Sequence, residues 1–284
     1  MPTPSRLRLA LVGEGIGQSL TPAMQRREGA AAGLELDYHL IDAAVTGFGA
    51  GDLAGLLGWA QRSGYAGLNI THPFKQVVLP LLDEVSKDAV DLGAVNTVVF
   101  RDGRSHGHNT DWSGWGRGFR RVLPAAVHDR VVLVGAGGAG AAVGYALLEQ
   151  GASHVTVVDL DRDKRDECVV RLGKVYGDER LSVSDDLAEA LATAQGVVNA
   201  TPIGMVGHDG IPVPEELLRP DLWVSDVVYR PLETRLIAAA RERGCRVVPG
   251  GGMAVFQAVG AFELFTQRPA DPERMLAHFE ELTR

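Results

Sequence analysis

Cysteine is scarce in this 284-residue chain. The two present, Cys168 and Cys245, form no Cys-x-x-Cys pair and no Cys/His cluster, so no metal site is expected. Both are expected to be reduced structural thiols, Cys168 on a helical stretch and Cys245 opening a strand-like run. A surplus of positive charge is also missing. Twenty-eight Lys and Arg against 36 Asp and Glu leave a net charge of −8, which excludes a general attraction for nucleic acid or anionic membranes. An acidic substrate would have to be caught by local groups. No apolar run has the length of a membrane helix. Residues 1–13 carry arginines but neither an apolar core nor a small-residue cleavage site, so no signal peptide is expected and a cytoplasmic location is. Proline is sparse (14) beside glycine (35), a balance that points to tight turns between regular elements.

What is present is alternation. Short apolar runs occur at Leu7–Gly13, Leu36–Asp42, Gly67–Ile70 and Ala94–Arg101, the last turning at Asp102-Gly103. Amphipathic stretches separate them. Thr21-Pro22 opens a helix with Thr21 expected as its cap, and Asp52–Arg62 forms another. A second series begins at Arg130: Val131–Val134, His154–Asp159, Gly196–Asn199, Leu222–Asp226 and Cys245–Val248. Strands alternating with helices predict parallel sheets covered on both faces. The fold class expected is α/β with two domains. Residues 1–111 would form a substrate-binding and catalytic domain, with helices at 253–284 packing back on it. Residues 112–252 would form a doubly wound Rossmann-type dinucleotide-binding domain.

Gly135-Ala136-Gly137-Gly138-Ala139-Gly140 reads G-x-G-x-x-G between a strand and a helix, the context this motif requires. The first glycine permits the tight turn. The second lets backbone approach a pyrophosphate that the helix N-terminus attracts, and the third lets helix and strand pack closely. Asp159 follows about twenty residues on, where a carboxylate can take the adenosine ribose hydroxyls and repel a 2′-phosphate. Arg162, Lys164 and Arg165 argue the other way, although Asp163, Asp166 and Glu167 among them suit a solvated helix face. NAD is expected in preference to NADP.

The first half offers polar groups just after strands: Ser19 and Thr21, Asn69 and Thr71 with Lys75, Asn96, and Asn109 with Asp111. Ligands of open α/β sheets bind outside the carboxyl ends of strands. A lysine and an aspartate from separate loops can share the proton of a substrate hydroxyl. A free lysine side chain has a pKa of about 10.4, so proton abstraction by one needs a lowered pKa or a coupled aspartate.

Taken in order, these segments resemble the shikimate dehydrogenase family over essentially the whole chain. Asn69-Ile70-Thr71-His72-Pro73-Phe74-Lys75 is similar to the family's substrate and lysine motif. Gly93-Ala94-Val95-Asn96-Thr97 and Gly107-His108-Asn109-Thr110-Asp111 resemble the next two. Asn199 through Met205, Asp226-Val227-Val228-Tyr229 with Pro231, and Gly250 through Met253 with Gln257 resemble the later blocks.

The resemblance implies oxidation of the ring 3-hydroxyl of shikimate to 3-dehydroshikimate, and of the equivalent hydroxyl of quinate to 3-dehydroquinate. It implies Lys75 and Asp111 as the acid/base pair, with Ser19 and Thr21 on the substrate carboxylate. Asn69, Thr71, Asn96, Asp111 and Gln257 would face ring hydroxyls, and Tyr229 would close over the substrate. Asn199, Ala200, Thr201, Val228, Gly252 and Met253 would lie on the nicotinamide side.

Thr21, where biosynthetic members carry serine, and Asp159-Leu160-Asp161, where they carry an Asn-Arg-Thr type run, resemble the NAD-using quinate/shikimate branch. The competing expectations are an NADPH-dependent biosynthetic shikimate dehydrogenase, an aminoshikimate or aminoquinate dehydrogenase, and a non-catalytic dinucleotide sensor. A monomer or homodimer is expected. His106 and His108 are expected in a loop at the site mouth, and Trp112 and Trp115 in packing between domains.

Overall fold

The computed structural model describes residues 5–284. The expectation about a leader includes residues 1–4, which lie outside that range. The chain divides into two compact units. One comprises the residues up to Thr110 together with Gln257–Arg284, and the other Asp111–Phe256. The boundaries fall at Thr110/Asp111 and Phe256/Gln257, one and four residues from the expected ones.

The first unit holds a six-stranded sheet built from β1 (Ser5–Gly13), β2 (Leu34–Asp42), β3 (Tyr65–Ile70), β4 (Glu84–Val85), β5 (Thr97–Arg101) and β6 (Arg104–His108), in the order β2-β1-β3-β5-β6-β4. Strands β2, β1 and β3 run parallel, as expected from strand–helix alternation. The rest of the sheet corrects that expectation, because β5 is antiparallel to both β3 and β6. For β5 and β6 the cause is the two-residue connection Asp102-Gly103, with φ of +52° and +76°. A two-residue turn can join only antiparallel neighbours, and two positive φ values match the twist of a hairpin. Strand β6 therefore contains His106 and His108, which are strand residues and not loop residues. Thr21 is likewise not the cap of its helix. Leu20 occupies that position, and its carbonyl accepts from the Met24 amide at 3.1 Å. Thr21 thus lies inside the first turn, while Ser19 Oγ accepts from its amide at 3.3 Å.

Two apolar clusters flank this sheet. Leu68, Ile70, Val78 and Val98 pack with the helix Leu53–Arg62 on one face. Leu9, Leu11 and Tyr38 pack with Phe262 and Phe265 of the helix Gly251–Thr266 on the other. The last helix, Pro272–Thr283, is held through Arg274. Its guanidinium donates at 2.8 and 2.7 Å to Glu28, a carboxylate only 1% exposed. Burial of an unpaired carboxylate is costly, so this contact fixes where the tail lies.

The second unit holds β7 (Arg130–Val134), β8 (His154–Val158), β9 (Leu181–Val183), β10 (Gly196–Asn199), β11 (Trp223–Asp226) and β12 (Arg246–Val248), in the order β12-β11-β10-β7-β8-β9. All pairings are parallel, the doubly wound arrangement expected. Residues 131–134 are buried, as a strand covered on both faces must be. Trp115 stacks on Phe119 and lies 3.3 Å from Ser225 Oγ, and Trp112 meets the ring of Tyr145 edge-on. Both tryptophans thus have ring partners within the second unit. Their helix, Asp111–Val122, lies against the helix Gly138–Glu149, with Trp115 buried and Trp112 partly so. Cys168 lies on the helix Arg162–Tyr176 and Cys245 just before β12, both buried and free. No helix among the described residues is long and apolar enough to cross a membrane.

Candidate functional site

In the first unit, polar groups collect at the carboxyl ends of β1 and β3 and the start of β5. Asn69 is the next-to-last residue of β3 and is 4% exposed. Its Oδ1 accepts from Tyr38 Oη at 2.6 Å, and its Nδ2 donates to Thr97 Oγ1 at 3.2 Å. Asn96 is equally buried. Its Oδ1 accepts from the Thr110 amide at 2.8 Å, and its Nδ2 donates to Thr110 Oγ1 at 2.9 Å. The backbone of Asn96 is held by the His108 carbonyl at 3.0 Å. Asn109 Nδ2 donates to the Ala94 carbonyl at 2.9 Å, so Asn109 braces the loop that carries Asn96. One connected network of amides and hydroxyls thus joins four separate segments of the chain. Such networks fix side-chain orientation because each member loses a bond if any other turns.

Thr71 is fixed differently. Its amide donates to the Val12 carbonyl at 2.9 Å, and its methyl lies over Gly13, where an added Cβ would sit 2.3 Å away. Lys75 follows four residues later, and its carbonyl accepts from the Val95 amide at 2.8 Å. The loop before Ser19 is anchored by Asp42 at the end of β2. Its carboxylate accepts from the amides of Gly15 at 2.8 Å, Ile16 at 2.9 Å and Ala44 at 3.0 Å. Burial raises the Asp42 pKa, but the amides of Gly15, Ala44, Ile16 and Gly17 outweigh it and hold the carboxyl below its usual value. Gln257 belongs to this unit and Asp111 is the first residue of the other. Asp111 is 6% exposed at the start of its helix.

In the second unit, the glycine loop follows β7. Gly135 has φ +101°, and a Cβ there would meet Ala200 and Thr201 within 2.9 Å. A Cβ on Gly140 would lie 2.0 Å from the Gly135 carbonyl oxygen. These two glycines are required by the fold itself. Gly137 and Gly138 differ, since a Cβ on either would meet nothing within 4 Å. The helix Gly138–Glu149 has no side-chain cap and no acidic residue in its first turn. Open space above uncapped amides at a helix N-terminus fits a pyrophosphate. Asp159, just past β8, reaches back to this loop. Its Oδ2 accepts from the Ala136 amide at 2.7 Å, and its Oδ1 accepts from the Asp161 amide at 2.8 Å.

The three cations after Asp159 are all engaged. Arg162 pairs with Asp185 at 2.7 Å and Lys164 with Asp161 at 2.9 Å. Arg165 lies between Asp166 and Asp185. Arg165 is 6% exposed, which corrects the expectation of a solvated face for that residue. Its neighbours' carboxylates make burial tolerable.

At the ends of β10 and β11, Asn199 Oδ1 accepts from Thr201 Oγ1 at 2.7 Å and from the Thr201 amide at 3.0 Å. Its Nδ2 donates to Asp226 Oδ1 at 2.9 Å. Ala200 and Val228 are buried beside these residues. Tyr229 follows, its phenol pKa raised by burial and partly offset by Arg230. Gly252 packs against Gly118, and Met253 lies in the first turn of the helix Gly251–Thr266. Strand β7 has β8 on one side and β10 on the other, so the chain reverses winding direction at the glycine loop. Ligands of open α/β sheets settle at such a switch point, outside the carboxyl ends of the strands.

Sequence reasoning missed Tyr38, Thr97, Asp42 and Asp226 as supports. Tyr38 reads as an ordinary inward residue of a strand, and nothing local signals that its hydroxyl has a partner. Asp42 and Asp226 do carry a signal, since each is a carboxylate closing an apolar strand.

A profile of the shikimate dehydrogenase substrate binding domain matches residues 11–98. The shikimate dehydrogenase (NADP(+)) of Streptomyces avermitilis is 53% identical, over 96% of this chain and 95% of that protein. The quinate/shikimate dehydrogenase (NAD(+)) of Corynebacterium efficiens is 48% identical, over 96% and 98%. The solved quinate dehydrogenase from Corynebacterium glutamicum in complex with NAD superposes with a TM-score of 0.93 at 46% identity, covering 98% of this chain and 99% of that one. Identity of this extent across nearly the full length, on top of a doubly wound glycine-loop unit and a polar network at strand ends, places the chain in the shikimate dehydrogenase family.

Proposed function

We propose that this protein is an NAD-dependent dehydrogenase of quinate and shikimate. It would oxidise the ring 3-hydroxyl of shikimate to 3-dehydroshikimate and the equivalent hydroxyl of quinate to 3-dehydroquinate. The observation that carries the cofactor choice is Asp159. Two backbone amides hold its carboxylate beside the glycine loop, where it suits ribose hydroxyls and repels a 2′-phosphate. The cations that could receive that phosphate each face a carboxylate, Asp161, Asp166 or Asp185. A relative named for NAD at 48% identity supports the same choice.

The residues divide the work as follows. When bound, a nicotinamide supplies the acceptor for the hydride that leaves the carbinol carbon. Lys75 with Asp111 takes the hydroxyl proton as the carbonyl forms, and returns it in the reverse direction. Ser19 and Thr21 donate to the substrate carboxylate without adding a full charge. Asn69, Thr71, Asn96 and Gln257 orient ring hydroxyls, and Tyr229 covers the substrate. Gly135, Ala136, Gly137, Gly138 and Ala139 hold the pyrophosphate. Asn199, Ala200, Thr201, Val228, Gly252 and Met253 form the nicotinamide side.

A second reading is favoured by the Streptomyces avermitilis relative, which is named for NADP and is 53% identical. Under it the chain is an NADPH-dependent biosynthetic shikimate dehydrogenase. Initial rates with NAD and NADP, each against shikimate and quinate, separate the two. Clear NAD preference with turnover of both acids is expected. NADP preference with shikimate alone would replace the first reading with the second. Tight dinucleotide binding with no turnover of either acid would point to a sensor.

A further inference from the structure

Asp226 is the least exposed carboxylate at the carboxyl ends of the second unit's strands, at 1%. Three groups donate to it: Asn199 Nδ2 at 2.9 Å, the Val228 amide at 3.0 Å and Thr234 Oγ1 at 2.7 Å. All three are neutral. Thr234 Oγ1 in turn accepts from the Ile237 amide, so its hydroxyl proton is directed at Asp226. Convergence of three donors satisfies the ionised carboxylate. Desolvation opposes that ionisation and outweighs the three donors, so the carboxyl's pKa lies above its ordinary value. Burying a carboxylate without a cationic partner is costly, and its three donors, drawn from three separate segments, offset that cost.

The bonds also link two loops. Through Asn199, Asp226 reaches Thr201 and the Ile203 carbonyl after β10. Through Val228 it fixes the segment after β11. Ala200 and Thr201 in turn abut Gly135 of the glycine loop.

We propose that Asp226 is a positioning residue that ties the ends of β10 and β11 into one wall beside the dinucleotide, and that its charge favours the oxidised, cationic nicotinamide over the reduced, neutral one. This rests on the dinucleotide reading above. A fixed charge near a low-dielectric wall acts on a ligand charge with less screening than in water, so the bias would set the balance between the two cofactor states in the protein.

Dissociation constants for NAD and NADH, measured on the whole protein and on Asp226→Asn, test the charge. The variant keeps the shape and removes the anion. It should lose about 5-fold or more in affinity for NAD relative to NADH. Equal changes for both, or no change, overturn the bias. Thr234→Val tests the tie and serves should Asp226→Asn not fold, because it keeps the charge and removes one strut. It should raise KM for both cofactor states by about 3-fold, at an unaltered NAD/NADH affinity ratio. An unmoved KM overturns the positioning role. Failure of the underlying reading looks different: the unsubstituted protein would then bind neither NAD nor NADH.

Discussion

The two units build their polar clusters from different material. In the first, the site is side chains: Asn69, Asn96, Thr97, Thr110 and Tyr38 hold one another in a buried network, and Asn109 braces the Ala94 carbonyl beside it. In the second, it is largely backbone. Glycines shape a loop, a helix end presents amides, and the carboxylates Asp159 and Asp226 brace that backbone from beside it. Side-chain recognition can distinguish hydroxyl patterns on a small ring, because each buried donor or acceptor left unpaired is penalised. A dinucleotide's pyrophosphate offers the same charge and shape in every reaction, and a preformed nest of amides serves it.

Substitutions should divide along the same line. The largest effect is expected at Lys75. Lys75→Ala should lower kcat by about 10²- to 10⁴-fold, the usual contribution of a positioned acid/base group, with substrate affinity largely retained. An equal loss of binding, measured by titration with shikimate, would assign Lys75 to recognition instead.

Next come the glycines, which sharpen the contrast within the backbone half. Gly140→Ala forces a Cβ to 2.0 Å from the Gly135 carbonyl oxygen. It should destabilise the fold by about 1–3 kcal/mol, read as a lowered Tm. Gly137→Ala has open space in the protein alone, so Tm should hold while KM for the dinucleotide rises about 10-fold or more. Equal behaviour of the two variants would mean that the space above Gly137 is not where the pyrophosphate lies.

In the side-chain half, Asn69→Ala strands the buried Tyr38 hydroxyl. A loss of about 1–3 kcal/mol of stability is expected from denaturant titration, together with impaired substrate binding. A stability loss with KM unchanged would reduce Asn69 to a structural role.

The smallest effect concerns acid. The folded pKa of Asp42 lies below its unfolded value. Its contribution is therefore complete above the unfolded pKa and is lost as pH falls through the folded one. Asp42→Asn should be less stable than the parent near neutrality and converge with it under acid. A constant gap in Tm from pH 7 down to about pH 3 would show that the carboxylate's charge is immaterial to the loop before Ser19.

Much was legible without coordinates, and unevenly so. The α/β class, the doubly wound second unit and the glycine loop all followed from local pattern. A strand run, a turn and a helix start are encoded by contiguous residues. Ser19 and Lys75 were marked by position, as polar residues placed shortly after apolar strands, whereas Asn69 lies within β3 and Asn96 just before β5. Misreadings arose where two segments compete or cooperate. The antiparallel β5–β6 hairpin was signalled by Asp102-Gly103, but β6, Arg-Ser-His-Gly-His, is polar enough to read as loop. Its strand state is set by pairing with β5 and β4. Trp112 and Trp115 were visible as large aromatics, but which neighbour they meet depends on the register between two helices.

By itself, then, the sequence determined what lies within reach of a short stretch of chain. It specified the period of each element, the left-handed turn at Gly135, the amides of a helix start and the carboxylate closing a strand. Only the tertiary structure decided which distant groups share a hydrogen bond. It joined Tyr38 to Asn69, Asn96 to Thr110, and Asp226 to Asn199 and Thr234. The reason is physical: backbone conformation is governed by torsions and neighbours a few residues away, whereas a buried polar side chain takes whatever partner the packing brings to it.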